Sequence, residues 1–308
     1  MARIARFVRS DKPTVYHVVS RTALPGLPIT AQDKDYLLGL IRNLSTLYCT
    51  DILGFCIMGN HFHLVCRMYP ASEVSDEEIQ RRCKAYYGED QMIAGEHLES
   101  YRERLTSLGA FIKDIKQGFT RYYNRRTGRK GFFWGERFKS LIVQDGKTLI
   151  NLLAYVDLNP IRAGIVRRPE EYRWCSLGYH QQRGNAGELL SLEFGLADWD
   201  DLDSREAVHK YREFIYETGA VNAGKGAVID QGIVERERRR KYRVGRAERF
   251  LHRSRYFTDS GIIGSKEFVG EVFDRVKHLL GSQGRRRFKP VSGLNGIYSM
   301  KRLQEESP

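Results

Sequence analysis

The stretch that most constrains this chain is Gly54-Phe55-Cys56-Ile57-Met58-Gly59-Asn60-His61-Phe62-His63-Leu64-Val65-Cys66. Two apolar runs flank a Met-Gly-Asn turn, a pattern that predicts a β-hairpin. Gly59-Asn60 is a natural place for the positive φ angles that a tight turn needs. Side chains alternate along a strand, so His61 and His63 fall on one face, about 7 Å apart, while Phe62 and Leu64 enter a core on the other. Two imidazoles on one sheet face can chelate a divalent ion if a third ligand comes from elsewhere. The plain alternative is a polar, solvated strand face.

The rest of the order is readable around this hairpin. Residues 14–21 are β-branched and aromatic and predict a first strand. Thr30, with Asp33 three residues on, starts a helix whose apolar stripe includes Leu37, Leu38, Leu40, Ile41, Leu44 and Leu47. Residues 70–107 read as an insertion of short surface helices. A stronger helix over 108–124 carries Leu108, Phe111, Ile112, Ile115, Phe119 and Tyr122 on one face. A strand follows over 138–143. Then comes a helix from about Lys147, capped by Asp145 and ended by Asn159-Pro160, because a residue before proline avoids helical geometry. A hairpin between the second and third strands excludes an all-parallel sheet. The expected fold is α+β: a ferredoxin-like split βαβ antiparallel sheet with helices on one face, spanning residues 1–182. A linker-like Gly-Asn-Ala-Gly stretch then opens a basic, mostly helical C-terminal extension, residues 183–308, of unassigned role.

Charge narrows the partner. The 308 residues carry a formal net charge of +13, a surplus that suits a polyanion, most often nucleic acid. No apolar run approaches the roughly 18 residues of a membrane-spanning helix, and the first six residues lack the apolar core of a signal peptide. The five cysteines are odd in number and scattered, with no Cys-x-x-Cys pair. That disfavours a zinc finger and suits reduced thiols in a bacterial cytoplasm. Lys116, Arg121, Arg125, Arg126, Arg129 and Lys130 lead into Phe132, Phe133 and Trp134. Cations neutralise phosphates and flat rings stack on exposed bases, a combination suited to single-stranded or hairpin nucleic acid. The alternative is a solvated loop before core aromatics. Arg239, Arg240 and Lys241 belong to a second basic run, over 235–255, and residues 284–289 form another cluster.

A polar stripe on the helix after Lys147 bears on chemistry. Asn151, Tyr155 and Asn159 are spaced four apart and share a face. If that helix lies on the histidine face, His61, His63 and Asn159 can bind a divalent ion and leave room for a phosphate. Tyr155 then stands beside the phosphate as a nucleophile. Packing alone is the default role for any one of 17 tyrosines. Tyr122 and Tyr123, at another helix end near basic loops, are fallback nucleophiles.

Three stretches in order, Tyr16-His17-Val18-Val19-Ser20-Arg21, Met58-Gly59-Asn60-His61-Phe62-His63-Leu64-Val65 and Ala154-Tyr155-Val156-Asp157-Leu158-Asn159-Pro160-Ile161-Arg162-Ala163-Gly164, resemble the single-tyrosine HUH transposases. They look most like the transposases associated with repetitive extragenic palindromes. The resemblance covers about residues 10–180. It implies Tyr155 as nucleophile and His61, His63 and Asn159 as metal ligands, with Mg²⁺ or Mn²⁺ as cofactor. It also implies single-stranded DNA next to hairpins as substrate, and a 5′-phosphotyrosine intermediate. The insertion and the tail depart from that pattern and leave the recognised DNA open. Monomer and homodimer are equally compatible with the sequence. Three alternatives share the scaffold: a nickase for replication or transfer, a catalytically silent DNA- or RNA-binding regulator, and a hydrolytic metal nuclease that uses water and forms no adduct.

Overall fold

Four strands form the heart of the molecule. In this computed structural model, which describes residues 7–183, 185, 187–194, 203–219, 227, 229, 232, 261–276, 288–290 and 296–299, β1 (Thr14–Arg21), β2 (Thr50–Ile57), β3 (His61–Met68) and β4 (Lys139–Val143) lie antiparallel in the order β2-β3-β1-β4. Helix α1 (Ala31–Leu47) connects β1 to β2, and α4 (Leu108–Thr127) precedes β4. This is the split βαβ arrangement expected from the sequence. The Thr30–Asp33 capping box starts α1: the Asp33 amide donates to Thr30 Oγ1 at 3.4 Å, and the Thr30 amide donates to Asp33 Oδ2 at 2.9 Å. The insertion folds as α2 (Asp76–Tyr87) and α3 (Gly95–Leu105).

The hairpin closes where expected, with the Met58 amide donating to the His61 carbonyl at 2.8 Å. Its turn is built differently. Neither Gly59 nor Asn60 adopts a positive φ. A Cβ at 59 would come within 2.9 Å of Leu27 Cδ2, so a larger residue there would push the exposed Leu27 side chain aside. The loop carrying Leu27 latches onto the turn, as Ile29 and Thr22 donate backbone hydrogen bonds of 2.9 Å to the carbonyls of Gly59 and Asn60. Tertiary contacts, not turn chemistry, fix this corner.

Helices cover both sheet faces, which corrects the expectation of one. Tyr16, Val18, Phe55, Phe62 and Leu64 form a core with α1 and α4. Val15, Cys56, Val65, Leu141 and Val143 form a second core with α5 (Lys147–Asp157). The reason lies in composition: the second face carries Val15, Val65, Leu141 and Val143 around its histidines, with Arg21 and Arg67 towards its ends, and α5 brings Leu149, Leu152, Leu153 and Val156 to bury the apolar part. Gly54 sets how closely α5 approaches, since a Cβ there would meet Leu153 Cδ2 at 2.4 Å and Ser176 Oγ at 3.0 Å. Asp145 does not cap α5. The N-cap is Gly146, at φ 79°, and the Asp145 carboxylate accepts a hydrogen bond from Arg67 Nη2 at 3.0 Å.

The extension supplies strands as well as helices. Helix α8 (Ser204–Gly219) follows two short helices, α6 (Asn159–Arg162) and α7 (Ser176–Arg183). Strand β5 (Ile262–Gly264) runs parallel to β4, and β7 (Tyr298–Ser299) and β6 (Lys289–Pro290) continue the sheet as β4-β5-β7-β6. Helix α9 (Lys266–Val276) buries Val269, Val272 and Phe273 in the α1–α4 core, and its Glu271 accepts from Arg9 Nη2 at 2.5 Å. The basic run over 235–255 and residues 284–287 lie outside the described residues. All five cysteines are buried and free. No described helix is long and apolar enough to cross a membrane.

The Gly54 contact gives a direct test. Gly54→Val forces α5 off the sheet or distorts Leu153, and is expected to cost about 1–3 kcal/mol in urea unfolding, as overpacked cores do. Gly39, in α1, is the control, since a Cβ added there would meet nothing within 4 Å. Gly39→Ala is expected to be neutral or to add up to about 1 kcal/mol.

Candidate functional site

Sheet register assembles the site. Val19 of β1 pairs with His63 and Arg21 pairs with His61, so His17, His61 and His63 share one face. The His61 and His63 ring centroids are 5.0 Å apart. His17 stacks on His63, with centroids at 5.2 Å and planes 11° apart, and its Nε2 lies 2.9 Å from His63 Nδ1. His61 Nδ1 lies 2.7 Å from Asn60 Oδ1 and donates to it. That bond fixes a tautomer whose Nε2 carries the free lone pair.

Helix α5 lays Tyr155 across this group. Its ring stands edge-on to His63, with centroids at 5.8 Å, and to His17, at 6.3 Å. The side chain is only 6 % exposed. Helix α5 stops at Asp157, and α6 (Asn159–Arg162) restarts after Leu158 with Pro160 in its first turn. Gly164, at φ 67°, follows the second helix. Asn159 Nδ2 donates back to the carbonyls of Tyr155 at 3.0 Å and Val156 at 3.2 Å. Further along α6, the Arg162 guanidinium lies 4.8 Å from the Tyr155 ring centroid.

Burial keeps His61 and His63 neutral. It pushes His61 down to about 4, helped by the nearby Arg21 cation. His63 goes well below the ordinary histidine range, through burial first and then through His17, His61 and Arg162. Neutral rings offer lone pairs to a cation. Among the described residues no group of three or more His, Cys, Asp or Glu side chains is arranged to hold a metal. A divalent ion here would therefore use the two imidazoles with an amide oxygen and substrate oxygens. The donor chemistry fits Mg²⁺ or Mn²⁺ to that extent: Asn159 has committed its nitrogen to the helix and retains Oδ1.

Asp157 anchors the end of α5. It is fully buried, accepting from Tyr211 Oη at 2.7 Å and from the Leu177 amide, at the start of α7 (Ser176–Arg183), at 3.1 Å. Burial raises its carboxyl to about 6, against the opposing pull of those hydrogen bonds. Tyr211 belongs to α8, so the extension grips the helix that carries Tyr155.

The expected nucleic-acid residues divide. Arg121, Arg125, Arg129 and Lys130 are exposed, beside an exposed Phe132. Phe133 and Trp134 are buried in the core instead. Lys116 Nζ donates to the Glu136 carbonyl at 2.9 Å, and Arg126 pairs with Asp33 at 2.8 Å. Arg239, Arg240 and Lys241 lie outside the described residues. Tyr122 and Tyr123 pack in the α1–α4 core, where Tyr36 stacks on Tyr122 at 3.6 Å, away from the histidine face. The sequence reading gave no role to His17, Asp157 or Arg162. His17 had a usable signal: it shares strand parity with Val19 and Arg21, which the antiparallel pairing sets opposite the two histidines.

No family model matches the chain, and no curated protein matches it. Among solved structures, it is similar to a REP-associated tyrosine transposase bound to a REP hairpin. The identity is 13 % and the TM-score 0.41, over 62 % of this chain and 92 % of that one.

The histidine shifts are testable in metal-free protein. By NMR, the His61 ring is expected to titrate near pH 4, not near the ordinary value of about 6.5. A depressed histidine favours the fold above its unfolded pKa. Its contribution is lost as pH falls through the window from about 6.5 to about 4. His61→Gln is therefore expected to flatten the fall in melting temperature across that window.

Proposed function

We propose that this protein is a DNA strand transferase that cuts and rejoins single-stranded DNA next to hairpins through Tyr155. The observation that carries the reading is the Tyr155 ring set against two stacked imidazoles, His17 and His63, on a buried face. A tyrosine kept only for packing needs no such polar surroundings.

The chain's own groups account for the steps. Tyr155 Oη attacks the phosphorus of a phosphodiester. Its proton leaves to solvent or to a neutral imidazole beside it. The bond from phosphorus to the 3′ oxygen breaks, and that oxygen departs as a 3′-hydroxyl after protonation. A 5′-phosphotyrosine remains and conserves the phosphodiester's energy, so a second 3′-hydroxyl can reverse the step and rejoin a strand without ATP. His61, His63 and Asn159 would hold Mg²⁺ or Mn²⁺. When bound, the ion supplies charge neutralisation at the phosphoryl oxygens. Burial of Tyr155 limits water, which favours strand transfer over hydrolysis. Exposed Arg121, Arg125, Arg129 and Lys130, with Phe132, form the surface proposed to track the DNA.

The test uses hairpin-bearing single-stranded oligonucleotides labelled at either end, with Mg²⁺ or Mn²⁺, resolved on a denaturing protein gel. A metal-dependent labelled band is expected with wild type, retaining the 3′-labelled fragment, and none with Tyr155→Phe. Cleavage without an adduct would instead indicate a water-using nuclease. Hairpin binding with neither cleavage nor adduct would indicate a regulator.

A further inference from the structure

Enclosed arginines in this protein come with carboxylates. Arg9 has Asp11 at 2.8 Å and Glu271 at 2.5 Å. Arg67 has Asp145 at 3.0 Å and Glu193 at 3.5 Å. A guanidinium taken out of water needs an anion or a full set of hydrogen bonds to offset the lost hydration.

Arg162 breaks the pattern. Its Nη2 is buried and has no hydrogen-bond partner among the described residues. No carboxylate pairs with it there. Its guanidinium instead lies over the face of Tyr155, 4.8 Å from ring centroid to guanidinium carbon. Such a contact is worth about 1–2 kcal/mol when desolvated and does not replace a hydrogen-bond acceptor. Burial pulls the Arg162 pKa below its ordinary value, the mark of a cation enclosed without its counter-charge. Its field also reaches His63. The main chain at this position is tied on both sides: the Arg162 amide donates to the Leu158 carbonyl at 3.0 Å, and its carbonyl accepts from Ala227 at 3.3 Å. A buried donor atom on a half-buried cation, beside a phenol and the neutral imidazole of His63, has the chemistry of an anion site.

We propose that Arg162 grips a non-bridging oxygen of the phosphodiester that Tyr155 attacks. It neutralises the charge that builds on that oxygen as the bond from Tyr155 Oη to phosphorus forms and the bond to the departing 3′ oxygen breaks. Planar, forked donors suit this task better than a lysine's point charge. The inference rests on the strand-transferase reading and adds a phosphate-positioning residue to it.

The experiment compares wild type, Arg162→Gln and Arg162→Ala on hairpin oligonucleotides with a natural phosphate or a neutral methylphosphonate at the scissile position. Adduct formation on the natural phosphate is expected to fall about 100-fold in either variant. With methylphosphonate the charge to be neutralised is gone, and wild type and variants are expected to converge within about threefold. A loss of similar size on both substrates, or none on either, would overturn the role, because a merely structural arginine does not distinguish them. Retained melting temperature in Arg162→Gln guards against misfolding. An arm independent of catalysis separates the two readings. Inorganic phosphate added to ¹⁵N-arginine-labelled Tyr155→Phe protein is expected to shift the Arg162 side-chain resonances, assigned by their absence in Arg162→Gln. If wild type makes no adduct but this shift is seen, the transferase reading fails and the phosphate contact stands. If the shift is absent, the contact fails.

Discussion

The close seat of one helix on one sheet face underlies everything at this site. Helix α5 can bring Tyr155 to the histidines only if its backbone sinks towards β2 and β3. The absence of a side chain at Gly54, under Leu153, lets it do so. The apolar residues of that face, Val15, Val65, Leu141 and Val143, drive the approach, and burial of Leu, Ile or Val side chains is worth about 1.5–3 kcal/mol each. The polar residues at the centre then arrive desolvated, whatever they cost individually. His61 and His63 are neutral because of where the leucines of α5 have to go.

The extension contributes to the same end. An isolated four-stranded core would leave β4 as an open edge, and open edges invite pairing with other chains. Strand β5 occupies that edge, while α9 adds apolar side chains to the α1–α4 core. On the opposite face, Tyr211 of α8 reaches the buried Asp157 carboxylate, and Arg212 and Tyr216 reach Glu170. Asp157 is two residues past Tyr155, at the point where α5 stops. The tail therefore helps to fix the end of the helix that bears the phenol.

Much of this was legible in the sequence, and the limits have physical causes. Period-two alternation in Phe62-His63-Leu64 gave the strand and its faces, and Thr30 with Asp33 gave the start of α1, because those signals are local. Pro160 marked the end of α5 for the same reason. The second helical layer was not legible from single segments: an apolar sheet face with histidines in it reads as solvated until the covering helix is known. Gly59 was read as a turn former, but it has no positive φ, and the loop that meets it, through Leu27 and the Ile29 amide, comes from far earlier in the chain. Phe133 and Trp134 looked like a base-stacking surface beside their arginines, yet they pack against Phe119. Arg162 could not be singled out among so many cations, since the sequence does not show which one lacks a carboxylate.

The charge pattern at the site is informative for what it omits. Arg21 and Arg162 both act to keep the histidines unprotonated, and among the described residues no carboxylate opposes them by favouring a charged His61 or His63. The buried acid on the same helix, Asp157, turns its oxygens to Tyr211 and Leu177. A site with cationic neighbours and no internal anion holds its electrostatic potential in reserve for something that enters. Low surrounding polarity strengthens that potential, and a strongly basic chain raises the local concentration of polyanions around it. On the proposed reading, a phosphodiester would satisfy the orphan donor on Arg162 and offset the charge of the cationic groups. A neutral small molecule does neither. The enclosure that makes the site costly to fold is the same enclosure that would strengthen its hold on the anionic backbone proposed as its occupant.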